Sequence, residues 1–120
     1  MKDEILVNLI AQIIFDKKGF NITAIDLRGV ATLTDFMIIA EGGVDRHVQA
    51  IAHEVVAKLS EVWREPNQTE GRENGDWIVL DYGSVMVHLF APGLRDKYRL
   101  ENLWPEAKIV DLRITQDPVL

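Results

Sequence analysis

Cysteine is absent from this 120-residue chain. That removes disulfides, thiolate zinc sites and a cysteine nucleophile together, and a reducing compartment fits such a composition. Long apolar runs are missing too, since none approaches the ~18 residues that a membrane span needs. The opening Met1-Lys2-Asp3-Glu4 is acidic and leads straight into a periodic segment. It reads as neither a signal peptide nor an Arg-rich transit peptide, and the expected location is cytoplasmic. Positive charge is in deficit: 13 Lys and Arg stand against 19 Asp and Glu, a formal net charge of −6. Phosphate backbones attract the opposite balance, so direct nucleic-acid binding is not expected. An acidic protein suits a basic protein partner.

Residues for chemistry are equally scarce. His47 and His53 are six apart, which places them on different sides of a helix, and His88 stands alone in a strand-like run. No metal site is expected from such spacings. Two-metal phosphoryl transfer needs paired acids on adjacent strands. Asp26, Asp35, Asp81 and Asp111 each stand alone, beside a turn or among apolar residues, with no Asp-x-Asp pair in any strand. Ser84 lacks the setting of a nucleophile elbow. Gly42-Gly43 before a helix suits a phosphate cradle in principle. It has no Lys-Ser/Thr after it and no spaced third glycine, so helix-start punctuation explains the pair better. The expectation is a protein that is not an enzyme, with no catalytic residue, metal or cofactor.

What is present is a foldable apolar pattern. At 48% hydrophobic residues, 120 residues make one domain that buries roughly two-thirds of its unfolded surface. The expected domain is 1–115, with a short tail over 116–120. Ile5, Leu6, Leu9, Ile10, Ile13 and Ile14 recur at helical spacing from Asp3, the expected cap, to about Lys17, with Gly19 after the end. Asn21 to Leu27 reads as a strand, and Phe36-Met37-Ile38-Ile39-Ala40 as a strand buried on both faces. Asp45 is expected to cap a helix carrying Val48, Ile51, Ala52, Val55, Leu59 and Val62, broken at Glu65-Pro66-Asn67. Asn67 to Gly75 reads as a polar loop, Leu94 to Trp104 as a helix, and Ile109 to Ile114 as a last alternating strand. The order α-β-β-α-β-β-α-β implies an α+β fold with a mixed sheet, helices on its apolar side and part of the other side open. The strands flanking the long helix are expected to be parallel, joined by a right-handed crossover.

The chain is organised around Asp76 to Phe90, two β-rich runs about Asp81-Tyr82-Gly83-Ser84 that read as a hairpin. With a two-residue loop, one face carries Ile78, Leu80, Val85, Val87 and Leu89. The other carries Trp77, Val79, Asp81, Met86 and His88. A three-residue loop would mix apolar and polar residues on both faces, so the buried face selects the former. Trp77 either covers the core edge or, with Val79 and Met86 around it, anchors an interface. Asp81 and Tyr82 either serve the turn or join that interface. The apolar patch of Trp77, Val79 and Met86 predicts that the free protein self-associates as a homodimer.

Several stretches carry a resemblance. Glu70-Gly71, Asp76-Trp77-Ile78-Val79-Leu80-Asp81-Tyr82-Gly83 and Val85-Met86-Val87-His88-Leu89-Phe90 resemble the Iojap-like family of ribosomal silencing factors. So do Asp26-Leu27-Arg28-Gly29, Thr34 to Ile39, Gly43 to Ala52 and Tyr98 to Trp104, in unbroken order. The chain departs at Gly43-Val44, where the family often has a small polar residue, and at Pro105-Glu106. The resemblance implies a nucleotidyltransferase-like fold without catalytic activity. It also implies a translation repressor that binds the large ribosomal subunit through ribosomal protein L-fourteen and blocks joining of the small subunit. The family's contact region falls on Trp77 and its hairpin, including Asp81 and Tyr82. Val79 and Met86 would then surround the anchor, and Asp81 with Glu70 would meet lysine or arginine. A large-subunit assembly factor and a nucleotide-binding enzyme using Gly42-Gly43 are the alternatives.

Overall fold

A computed structural model describes residues 1–116; the rest of the expected tail, 117–120, lies outside the described residues. The elements are α1 (Asp3–Asp16), β1 (Phe20–Asp26), β2 (Phe36–Glu41), α2 (Asp45–Val62), β3 (Gln68–Glu70), β4 (Trp77–Asp81), β5 (Val85–Phe90), α3 (Leu94–Tyr98), a 3-10 turn (Leu100–Leu103) and β6 (Lys108–Ile109). The fold is α+β, with one six-stranded mixed sheet ordered β3-β4-β5-β2-β1-β6. Among the described residues no helix is long and apolar enough to cross a membrane.

The two long helices cover one face of this sheet. Leu6, Val7, Ile10 and Ile14 of α1 and Val48, Ile51, Val55 and Leu59 of α2 are fully buried. They meet Ala24, Ile38, Ala40, Ile78, Leu80, Val87 and Leu89 from the strands in one cluster. Period 3.6 on the helices and period 2 on the strands bring these side chains to a single layer. Neither expected cap is used. Lys2 and Val44 occupy the N-cap positions, with no side-chain cap bond. Asp3 and Asp45 sit one residue later, where their charge still favours the positive helix end.

Gly42 explains its own presence by packing. A Cβ there would lie 2.8 Å from Val48 Cγ2 and 3.0 Å from Val48 N, so only glycine lets α2 start so close to β2. The neighbouring Gly43 N–H donates to His47 Nδ1 at 2.9 Å, and His47 Nε2 bonds to the Lys17 carbonyl at 2.8 Å. The helix start is thus bound to its own first turn and to the end of α1.

Four expectations need correction. The parallel sense about α2 holds for β5, which pairs parallel with β2, and fails for β4, which is antiparallel to β5. An additional strand, β3, lies inside the expected polar loop and pairs antiparallel with β4. Its three exposed polar residues carry no alternation to mark them as a strand. The helix from Leu94 stops at Tyr98, because Arg99 turns left-handed (φ 48°), and the chain continues as a 3-10 turn.

The last strand also shrinks to Lys108–Ile109, paired with β1. Beyond it Val110 and Leu112 still pack on the helix-side core. The alternation at 110–114 is therefore real, but after Val110, whose N–H still donates to the Ala24 carbonyl of β1, the backbone bonds to side chains of α1. Arg113 N–H donates to Asn8 Oδ1 at 2.7 Å, Thr115 N–H donates to Gln12 Oε1 at 2.6 Å, and Gln12 Nε2 returns a bond to the Thr115 carbonyl at 2.8 Å.

The second sheet face is covered only in part. Ile25, Leu27, Met37, Ile39 and Phe90 form a smaller buried cluster beneath Leu94, Leu100, Trp104 and Ala107 of the C-terminal strap. Arg95, 11% exposed, ties the strap down. Its Nη2 donates to Thr23 Oγ1 at 2.9 Å, and it pairs with Glu41 and Glu101 at 3.4 Å each.

Candidate docking face

The hairpin closes with the two-residue loop Gly83-Ser84. Asp81 pairs with Met86, and Tyr82 N–H donates to the Val85 carbonyl at 2.9 Å. Gly83 takes φ 83° while Ser84 stays out of that region, the pattern of a type II′ turn. The even register follows, with Ile78, Leu80, Val85, Val87 and Leu89 fully buried on the core face. Across the second face the strands align in rungs. One reads Gln68, Asp81, Met86, Met37, Ile25 and Ile109; the next reads Glu70, Val79, His88, Ile39 and Thr23.

The strap covers the β2 and β1 end of these rungs and leaves the β3 and β4 end open. There Gln68, Glu70, Val79, Asp81 and Met86 line a shallow depression of about 70 Å³. Val79 and Met86 are its partly exposed apolar floor, and Glu70 and Asp81 its acids. Asp81 fills the turn role weighed for it. Its Oδ1 accepts the Gly83 N–H at 2.8 Å, stapling the turn, while the residue remains partly exposed on the face.

Trp77 borders this strip and is partly buried. Its ring stacks on Phe90 at 5.1 Å and meets Tyr98 of α3 at 4.7 Å. Its Nε1–H donates to His88 Nδ1 at 3.0 Å. Tryptophan therefore joins the hairpin to the strap, on the same face as Val79 and one rung along β4 from it.

Tyr82 does not belong to the face. Even parity places it with Ile78 and Leu80, and its side chain is fully buried, 5.6 Å from the Trp63 ring. Burial, with the Glu65 charge adding to it, pushes its phenol up to about 12. The Tyr82 carbonyl accepts from Arg64, whose guanidinium lies 4.2 Å over Trp63. Its contribution is to the core beneath the hairpin turn.

Sequence reasoning missed Gln68, because β3 was invisible, and Tyr98, because nothing local marks a contact to Trp77. Parity puts His88 on the face where the structure has it, although its sequence setting suggests no role beyond a lone candidate metal ligand. Among the described residues no three His, Asp or Glu converge to hold a metal. His88 is 6% exposed, and burial lowers its imidazole from 6.5 to about 4.

Comparison with known proteins gives the arrangement its context. The family model described as "Ribosomal silencing factor during starvation" matches residues 2–119. The chain belongs to the ribosomal silencing factor family. A ribosomal silencing factor from Halalkalibacterium halodurans is 36% identical over 112 residues, covering 93% of this chain and 96% of that protein. The crystal structure of a Chromobacterium violaceum protein is similar with a TM-score of 0.84 at 33% identity, covering 99% of this chain and 92% of that one. A more distant relative is the mouse protein named "Mitochondrial assembly of ribosomal large subunit protein 1". It is 27% identical over 82% of this chain and 44% of its own length. The ribosomal silencing factor fold is thus the frame that presents the half-open sheet face.

Proposed function

We propose that this chain is a cytoplasmic translation repressor that docks on the large ribosomal subunit through ribosomal protein L-fourteen and sterically blocks joining of the small subunit. One observation carries the reading: an open strip whose floor is Val79 and Met86, whose acids are Glu70 and Asp81, and whose border is Trp77. A basic partner surface suits that combination, as it suits the net charge of −6. An interface of standard size takes roughly 800 Å² from each partner, so the strip would be its centre and the surrounding domain the obstacle. Sedimentation of mixed large and small subunits tests the reading. Wild type should co-migrate with the large subunit and deplete joined ribosomes. Folded variants Trp77→Ala and Met86→Glu that both bind and block like wild type would sink it.

The mouse relative's name favours a second role, large-subunit assembly, which the same docking would serve. Depletion of the protein in growing cells separates the two: accumulation of immature large subunits supports assembly, and normal subunits with excess joining support silencing.

Docking in this reading involves no chemistry. The start of α2 offers a nucleotide little, since Gly43 N–H is bound by His47 and Val48 fills the space at Gly42. Nucleoside triphosphates with magnesium should neither turn over nor raise the melting temperature. The free protein should pair through the same strip, so light scattering at high concentration should detect dimers that large subunits dissociate; a monomer throughout refutes this.

A further inference from the structure

His88 sits on β5 between Val79 of β4 and Ile39 of β2, with aliphatic neighbours on both sides. An imidazole in such a place loses its hydration and must recover a bond to compensate. One bond is formed, with Trp77 Nε1 at 3.0 Å. Indole N–H can only donate, so His88 Nδ1 must be the acceptor and the ring proton sits on Nε2. That Nε2 is buried and has no partner among the described residues. An aliphatic residue would leave no orphan donor, so the packing of β5 does not by itself call for histidine. What the imidazole supplies is a fixed acceptor for Trp77.

Trp77 has much to gain from one. It opens β4 directly after the exposed Asp76, and it is only partly buried. Stacking on Phe90 and Tyr98 sets the plane of the ring, but stacking is tolerant of sliding and in-plane rotation. A hydrogen bond along the ring plane removes that freedom. We propose that His88 is a positioning residue for docking, fixing the Trp77 indole so that the border of the open strip is already in its bound orientation. Pre-ordering a large side chain lowers the entropy lost when a partner closes on it. The inference rests on the docking reading above and adds a residue that never touches the partner.

The test compares His88→Phe, which keeps a ring and removes the acceptor, with His88→Gln, which keeps an acceptor. Large-subunit binding is measured beside the indole N–H signals in ¹H–¹⁵N spectra. His88→Phe should retain the wild-type circular dichroism spectrum, while its Trp77 N–H exchanges faster with solvent. Docking should weaken about ten-fold, the scale of one positioning hydrogen bond. His88→Gln should restore most of it, and His88→Phe should add nothing in a Trp77→Ala background. Wild-type docking by His88→Phe, or an equal loss in the Trp77→Ala background, overturns the proposal. If His88→Phe does not fold, Trp77→Phe removes the donor and keeps a ring; full docking by that variant overturns the proposal and weakened docking supports it. Loss of docking by Trp77→Ala with none by folded His88→Phe defeats the positioning role alone. Wild-type docking by both Trp77→Ala and Met86→Glu defeats the docking face as well.

Discussion

The two faces of this sheet are made from alternating residues of the same strands, yet they obey different rules. On the helix side Ile78, Leu80, Val87 and Leu89 are fully buried under α1 and α2, with no charged residue in the cluster. On the other side a short strap covers five buried residues and stops before the β3 and β4 end, where acids and apolar side chains share an open strip. The first face specifies the fold and is apolar but for the Tyr82 phenol beneath the turn. The second needs only enough cover to keep Phe90 and Ile39 dry, which leaves Glu70 exposed and Val79, Asp81 and Met86 partly exposed.

That division can be broken from either side. The largest effect should come from Leu80→Ala, which removes a fully buried side chain and should cost roughly 2–5 kcal/mol of folding stability. Urea unfolding measures it, and the molecules that remain folded should dock normally.

Next is acid. Burial lowers His88 from 6.5 to about 4 in the folded protein. Between those values the unfolded chain takes up a proton that the folded protein refuses, so unfolding is favoured as pH falls. This group leaves stability unchanged above 6.5 and removes up to roughly 3 kcal/mol on descending to about 4. Asp26, held low by its Arg28 hydrogen bond, gives up its contribution only as pH drops below the ordinary 3.8, outside that window. Unfolding of wild type and His88→Phe at neutral pH and near pH ~4.5 isolates the histidine: the wild type should lose more.

Trp77→Ala tests the second face directly, with an expected loss of about 2 kcal/mol, near thirty-fold in large-subunit affinity. Glu70→Lys should have the smallest effect, a few-fold, because its charge is exposed and screened; the loss should shrink as salt rises. Asp81→Lys is a less clean probe, since Asp81 also holds the Gly83 N–H.

Most of this division was legible in the sequence because it follows from parity. Once the loop is two residues long, Ile78, Leu80, Val85, Val87 and Leu89 share one face and Trp77, Val79, Asp81, Met86 and His88 the other, and the structure keeps each of these assignments. The same parity places Tyr82 inward, beside Leu80, and overrides its turn position. Elsewhere local signals failed for physical reasons. Gln68-Thr69-Glu70 has no buried side, so no pattern marks it as a strand. Leu94 to Trp104 has helical spacing, but the positive φ of Arg99 is set by how the strap folds down through Arg95, Leu100 and Trp104. The Trp77–His88 bond joins residues on different strands and depends on register and rotamer together, so neither residue reveals it alone.

Asn8 and Gln12 stand one turn apart on α1 and hold the backbone of residues 113 and 115, which lie 105 and 103 positions away along the chain. The polypeptide is thereby closed into a ring without a covalent bond. Contacts of such sequence separation form late, after the intervening loop has lost its freedom. The bonds between α1 and the 113–115 segment should therefore form late, and that segment should detach from α1 as one unit. Native-state hydrogen exchange should find the amides of Arg113 and Thr115 opening together, whereas β2 and β5 at the middle of the sheet should open only when everything does.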